Sequence, residues 1–123
     1  MRGRRSDPQV APLLDDLAPL GEVTARRMFG AWGIYIDGAM MAIVAGSTLW
    51  FKVDDGNREA YESAGSQPFR PWQDKRTVLS YRAVPAEVLE DRDRLLSWAR
   101  DAHRAALESA TARKTGPLLP RRR

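Results

Sequence analysis

Arg26-Arg27-Met28-Phe29-Gly30-Ala31-Trp32-Gly33-Ile34-Tyr35-Ile36-Asp37-Gly38, followed at once by Met40 to Val44 and by Leu49-Trp50-Phe51-Lys52-Val53, decides the fold. Ile34 to Ile36 is a β-branched and aromatic run, and Asp37-Gly38 supplies the positive φ that a tight type I′ hairpin turn demands. Gly46-Ser47 marks a second turn. The stretch predicts a compact antiparallel meander of four strands, at Val23 to Phe29, Trp32 to Ile36, Ala39 to Ala45 and Thr48 to Val53. Along the fourth, Leu49, Phe51 and Val53 point one way while Trp50 and Lys52 point the other. The first set is the expected core face.

Helical spacing appears on both sides of the meander. Asp7 is placed to cap a first helix with Pro8 at its first position, and Val10, Leu13, Leu14, Leu17 and Leu20 recur at helical intervals before Gly21 closes it. Asp54 or Asp55 can cap a short helix through Glu59, Ala60 and Tyr61, with Gly65 standing where a left-handed C-terminal residue is needed. Pro68 and Pro71 confine Phe69 to Trp72 to an irregular or edge segment, because they remove donors that a central strand requires. Thr77 to Ala83 reads as a last strand and Pro85 as the start of a helical turn. Asp91 or Asp93 opens a final helix whose stripe is Leu95, Trp98, Ala99, Ala102 and Ala106. So many alanines imply close approach to a neighbour. The order predicts an α+β domain of two layers, a mostly antiparallel sheet with helices on one face.

The wording of these segments resembles the N-terminal domain of the TfoX/Sxy competence regulators. That family carries an R-x-M-F-G-G-x-G-(I/L)-(Y/F) segment, a hairpin, and an aromatic-Lys strand ending in Asp. Here Arg26 to Tyr35 follows the pattern with Ala31 in place of the second glycine. Gly65-Ser66-Gln67-Pro68-Phe69 is similar to the family's connector, Leu79-Ser80-Tyr81 to its M-S-Y strand, and Val84-Pro85-Ala86-Glu87-Val88-Leu89 to its V-P-x-E-V-L helix start. The resemblance spans residues 8–112. It implies a two-layer fold similar to secretion chaperones, and a non-catalytic regulator of DNA-uptake genes that cooperates with a transcription factor. Full-length competence regulators add a C-terminal helical domain, whereas this chain reads as a stand-alone version.

Charge divides the chain into three parts. Of the 20 Lys and Arg residues, eight lie at the two ends: Arg2, Arg4 and Arg5, then Arg113, Lys114, Arg121, Arg122 and Arg123, with no acid among residues 1–5 or 113–123. The body keeps the remaining basic residues against all 16 acids and is itself acidic, although the net charge is +4. Residues 1–7 and 113–123 are expected to be mobile basic ends flanking a domain at 8–112, since arginine with Gly116, Pro117 and Pro120 buries too little apolar surface to order itself. Cysteine is absent, which excludes disulfides and thiolate metal sites and fits a reducing cytoplasm. No apolar run approaches a membrane span, and Met1 to Arg5 lead into no signal core. A cytoplasmic protein is expected.

Catalytic chemistry finds little to work with. His103, the sole histidine, reads as a surface or boundary residue, because one imidazole without cysteine cannot build a zinc site unless several carboxylates converge on it. Ser47, Ser66 and Ser80 lack a nearby histidine partner and no G-x-S-x-G elbow occurs. Asp54-Asp55 suits helix capping better than a cation, which would need further oxygen ligands. Gly30-Ala31-Trp32-Gly33 matches a G-x-x-G loop formally, but that motif clamps phosphates between helices and this one lies between strands. No catalytic residue, metal or cofactor is expected.

Arg26, Arg27, Trp32, Tyr35, Trp50 and Lys52 compose a candidate aromatic-basic interaction surface on the meander. Exposed Trp, Tyr and Arg are the anchors that protein interfaces favour, and the same residues suit single-stranded nucleic acid, where bases stack on rings. A regulatory module acting through a protein partner, with homodimerisation through a sheet edge, is the first reading. A nucleic-acid binder using the arginine-rich ends for phosphate contacts is the alternative. A small enzyme is the third.

Overall fold

The computed structural model describes residues 10–28, 30–70 and 78–115. The chain begins with helix α1 (Ala11–Leu17), extended by a 3-10 turn at Ala18–Leu20. Four strands follow: β1 (Val23–Met28), β2 (Ala31–Ile36), β3 (Ala39–Ala45) and β4 (Thr48–Lys52). Then come helix α2 (Arg58–Ser63), the two-residue strand β5 (Pro68–Phe69), strand β6 (Val78–Ala83), the one-turn helix α3 (Ala86–Leu89) and the long helix α4 (Arg92–Thr115). All strand pairs are antiparallel, in the order β1-β2-β3-β4-β6-β5. The expected α+β architecture is present.

Turn chemistry sets the meander. Asp37 has φ 52° and Gly38 φ 86°, the two positive values of a type I′ turn. The Asp37 carboxylate also accepts a bond from the Glu22 amide at 3.0 Å, while the Asp37 amide donates to the Glu22 carbonyl at 2.9 Å. Further along, β3 carries a bulge: Ile34 pairs with Ala42 but Tyr35 with Met40, leaving Met41 without an opposite residue. Met41 and Ala42 are both fully buried.

One face of the sheet carries the main core. Val23 and Ala25, Trp32, Ile34 and Ile36, Ala42 and Val44, and Phe51 and Val53 pack with Leu14 and Leu17 of α1, Tyr61 of α2, Val88 of α3 and Leu95, Ala99, Ala102 and Ala106 of α4. All four helices therefore contribute to the same side. The alternation read in the fourth strand holds, with Phe51 and Val53 buried and Leu49 packed against the same cluster. The opposite face carries a smaller cluster of Ala31, Ile43, Phe69 and Tyr81, joined by Met40, Ala45 and Trp50.

Helix ends differ from expectation in two places. Among the described residues helix α1 starts at Ala11 behind Val10, with Pro12 in the first turn; the expected cap Asp7 with Pro8 lies outside the described residues. Helix α2 starts behind Asn57, and Asp54 and Asp55 lie before it without capping it. Other ends follow the sequence. The Ser66 amide donates to the Tyr61 carbonyl and the Gly65 amide to the Glu62 carbonyl, a full Schellman motif with Gly65 at φ 75°. Asp91 accepts from the Arg94 amide at 3.2 Å and opens α4, which runs to Thr115. No helix among the described residues is long and apolar enough to cross a membrane.

Ala102 is fully buried where α4 meets the sheet, so Ala102→Leu is expected to lower stability by about 1–3 kcal/mol through overpacking. Gly65→Ala meets open space and pays only for its left-handed backbone, about 1 kcal/mol. Urea unfolding with an unchanged slope checks both.

Candidate functional site

Strand alternation distributes the six residues of the expected surface over both faces of the sheet. Arg26 pairs in register with Gly33, and its guanidinium lies 5.5 Å from the centre of the Tyr35 ring on the outer face. Arg27 pairs with Trp32 and lies 5.2 Å from the indole on the helix-covered side, where Trp32 is buried. Trp50 belongs to the outer cluster and meets Phe69 edge-on at 5.0 Å. Lys52 lies 5.0 Å from the Tyr81 ring, and the Tyr81 hydroxyl donates to the Met40 carbonyl at 3.0 Å. Arg26, Tyr35, Trp50 and Lys52 thus share one face, while Arg27 and Trp32 turn to the other.

Register arranges the outer face into a row. Arg26, Gly33, Ile43, Trp50 and Ala83 stand side by side across β1, β2, β3, β4 and β6. Gly33 leaves room there: a Cβ at this position would come 2.9 Å from the Met40 sulfur. The first glycine of the formal G-x-x-G lies in the β1–β2 turn and the second inside β2, so the motif belongs to the sheet. Arginine at the sheet edge, its guanidinium over an aromatic ring, gains a cation–π attraction of about 0.5–1 kcal/mol.

A second polar constellation ties α4 to the loop after β4. Arg104 grips Asp54 with both nitrogens, at 2.9 and 3.0 Å, and reaches Glu108 at 3.1 Å. Asp54 also accepts the Gly56 amide at 2.9 Å. The Arg104 hydrogen bonds, aided by the Gly56 and Asn57 amides, hold the Asp54 carboxyl below the usual carboxylate range against the opposing effect of burial. Asn57, the buried polar residue here, accepts the Asp54 amide at 2.8 Å and donates to the Lys52 carbonyl at 3.2 Å. Asp55 is spent on Arg58. The two aspartates therefore fasten a loop, one to a helix fifty residues away and one to its own helix.

The remaining sequence candidates take ordinary places. His103 is a boundary residue whose Nε2 lies 3.7 Å from the Asp37 carboxylate. Arg82, which the sequence reading passed over, donates to the Ser66 carbonyl at 2.9 Å and pairs with Glu62 at 3.4 Å, fixing the end of α2 to β6. Among the described residues, no group of His, Asp and Glu is arranged to hold a metal ion. Arg2, Arg4, Arg5, Arg121, Arg122 and Arg123 lie outside the described residues, and Arg113 and Lys114 fall on the last turn of α4.

A family model described as TfoX N-terminal domain matches residues 15–106, from within α1 through the whole sheet into α4. No curated protein matches the chain.

The Asp54 clamp sets a pH dependence. Because its folded pKa is lowered, its contribution is fully present above the unfolded value and is lost as pH falls through the folded one, so stability should decline below about pH 4. Asp54→Asn should flatten that acid limb and cost about 1 kcal/mol at neutral pH, a modest figure because the side chain is 32% exposed and screened. Asn57→Ala removes the side-chain bonds to the part-buried Asp54 amide and Lys52 carbonyl and should cost about 1–2 kcal/mol. Chemical denaturation at pH 3 to 7 measures all three.

Proposed function

The chain belongs to the TfoX N-terminal domain family, and from that membership we propose that it is a cytoplasmic, non-catalytic regulatory module acting through a protein partner in the transcription of DNA-uptake genes. The observation that carries the reading is the extent of the family match, which takes in the entire sheet together with the helices packed on it. Support for a protein partner comes from the Arg26–Tyr35 pair, an exposed arginine laid on a ring at the sheet edge. Arginine and tyrosine in that setting are the residue types that carry binding energy at interfaces. Arg27 adds a second exposed cation at the same edge, on the other face. Strand β1, at the end of the sheet order, also offers a backbone edge for a second copy of the chain.

One experiment separates this reading from nucleic-acid binding through the basic ends. The chain, an Arg26→Ala/Arg27→Ala variant and a form lacking residues 1–5 and 113–123 are used for affinity capture from extracts with and without nuclease, and DNA-uptake transcripts are measured in the same strains. A regulatory module retains its protein partner after nuclease and after trimming, and the double variant weakens capture about tenfold. Capture that vanishes with nuclease or trimming supports the phosphate-binding alternative. Unchanged transcripts and unchanged capture by the double variant reject the reading.

A further inference from the structure

Strand β1 ends the sheet, and hydrogen-bond parity fixes which of its backbone groups face away from β2. The Asp37 amide donates to the Glu22 carbonyl, so Glu22 and Asp37 form a hydrogen-bonded pair, and alternation along the antiparallel register makes Thr24 with Tyr35 and Arg26 with Gly33 the next two. The amides and carbonyls of Val23, Ala25 and Arg27 therefore point to the open side. Val23 and Ala25 are only 7% and 3% exposed, which closes the first half of that edge, whereas Arg26 and Arg27 are both exposed. The accessible edge is thus residues 26–28, where the Arg27 amide and carbonyl have no partner among the described residues. Successive strand residues point to opposite faces, so the guanidiniums of Arg26 and Arg27 flank this edge from both sides, one over Tyr35 and one over Trp32. Neither forms an ion pair among the described residues, although the body of the chain is acidic.

We propose that residues 26–28 of β1 dock an extended acidic segment of a protein partner, which adds as a strand and sets two consecutive carboxylates against Arg26 and Arg27. The inference rests on the partner-dependent reading above and names what that partner presents. Two cations on neighbouring residues but opposite faces form a pattern that a second extended strand matches residue for residue. Laid antiparallel, the residue opposite Arg27 points to the helix side and its neighbour opposite Arg26 to the outer side. The Arg27 amide and carbonyl then close one ladder pair, the main-chain contribution to strand addition. Guanidinium suits carboxylate in a bidentate pair and is weakly hydrated, so it sheds water readily. A nucleic-acid backbone fits less well. Its phosphates track one charged groove, while these cations stand on two sides of a sheet, and the acidic body repels a polyanion. A second copy also fits less well, because its β1 brings the same two arginines.

Backbone amide shifts and amide hydrogen exchange of the full chain are followed by NMR during titration with three blocked hexapeptides. One is Thr-Val-Glu-Glu-Val-Thr, one is Thr-Glu-Val-Glu-Val-Thr, which has the same composition but puts both carboxylates on one face, and one is Thr-Val-Gln-Gln-Val-Thr. Saturable shifts at Arg26, Arg27 and Met28, with slowed exchange of the Arg27 amide, are expected with the first peptide. The same-face peptide should bind about fivefold more weakly and the glutamine peptide about twentyfold, the scale of one and two exposed charge pairs. Arg26→Gln and Arg27→Gln should each weaken binding about fivefold while amide shifts elsewhere in the fold stay unchanged. Equal affinity for the same-face or glutamine peptide overturns the proposal, as does the absence of saturable shifts at about 5 mM of the first peptide. So does tighter binding of oligothymidine at the same amides, which assigns the edge to nucleic acid, or slowed Arg27 exchange on concentrating the free chain, which assigns it to a second copy. If the peptides fail while extracts still yield a protein partner, this inference falls and the regulatory reading stands. If the first peptide binds while no partner is captured, the edge recognises acidic strands and the regulatory reading falls.

Discussion

Close approach of α4 to the sheet is the constraint from which the other contacts follow. Leu95, Ala99, Ala102 and Ala106 stand three and four residues apart and are all buried against the core. Alanine at three of the four positions removes the side-chain thickness that ordinarily separates a helix from a sheet. At that depth, side chains on the flanks of α4 reach parts of the chain that a more distant helix would miss. Arg104 meets the loop after β4 and His103 meets the turn between β2 and β3. Both approaches are geometrical results of the alanine stripe; the Arg104–Asp54 pair ties the helix to the loop, while His103 Nε2 makes no hydrogen bond among the described residues.

The sheet has apolar residues on both faces through its middle, which shapes where a partner can bind. Strand β2 is buried at five of its six positions, and β3 at five of seven. Toward β1 and at the end of β4 polarity returns, and there three cations lie on rings: Arg26 on Tyr35, Arg27 on Trp32, Lys52 on Tyr81. The rings shield apolar surface while the charges keep the margin wet. A recognition surface built this way combines fixed aromatic area with outward donors.

Local chemistry was legible in the sequence, and distant pairing was not. Asp37-Gly38, Gly65 and Asp91 announced their turn, helix end and helix start, because each acts on backbone within a few residues. Period two separated Phe51 from Trp50 for the same reason. The Asp54–Arg104 clamp spans fifty residues and left no local trace, so Asp54 was read as a cap; Asn57 took that place, and its side chain turns back to the loop. Trp32 was grouped with the outer aromatics because its face depends on the register of the β1–β2 hairpin.

The extra residue in β3 has a wider consequence. With Met41 unmatched, the halves of the β2–β3 ladder are offset by one position, and both Met41 and Ala42 are buried. A uniform ladder can slide by two residues and still present the same faces. This one cannot, since any sliding would carry the offset away from its place opposite Ile34 and Tyr35. The irregularity works as a detent, admitting one alignment of neighbouring strands and thereby indexing everything that hangs from the sheet.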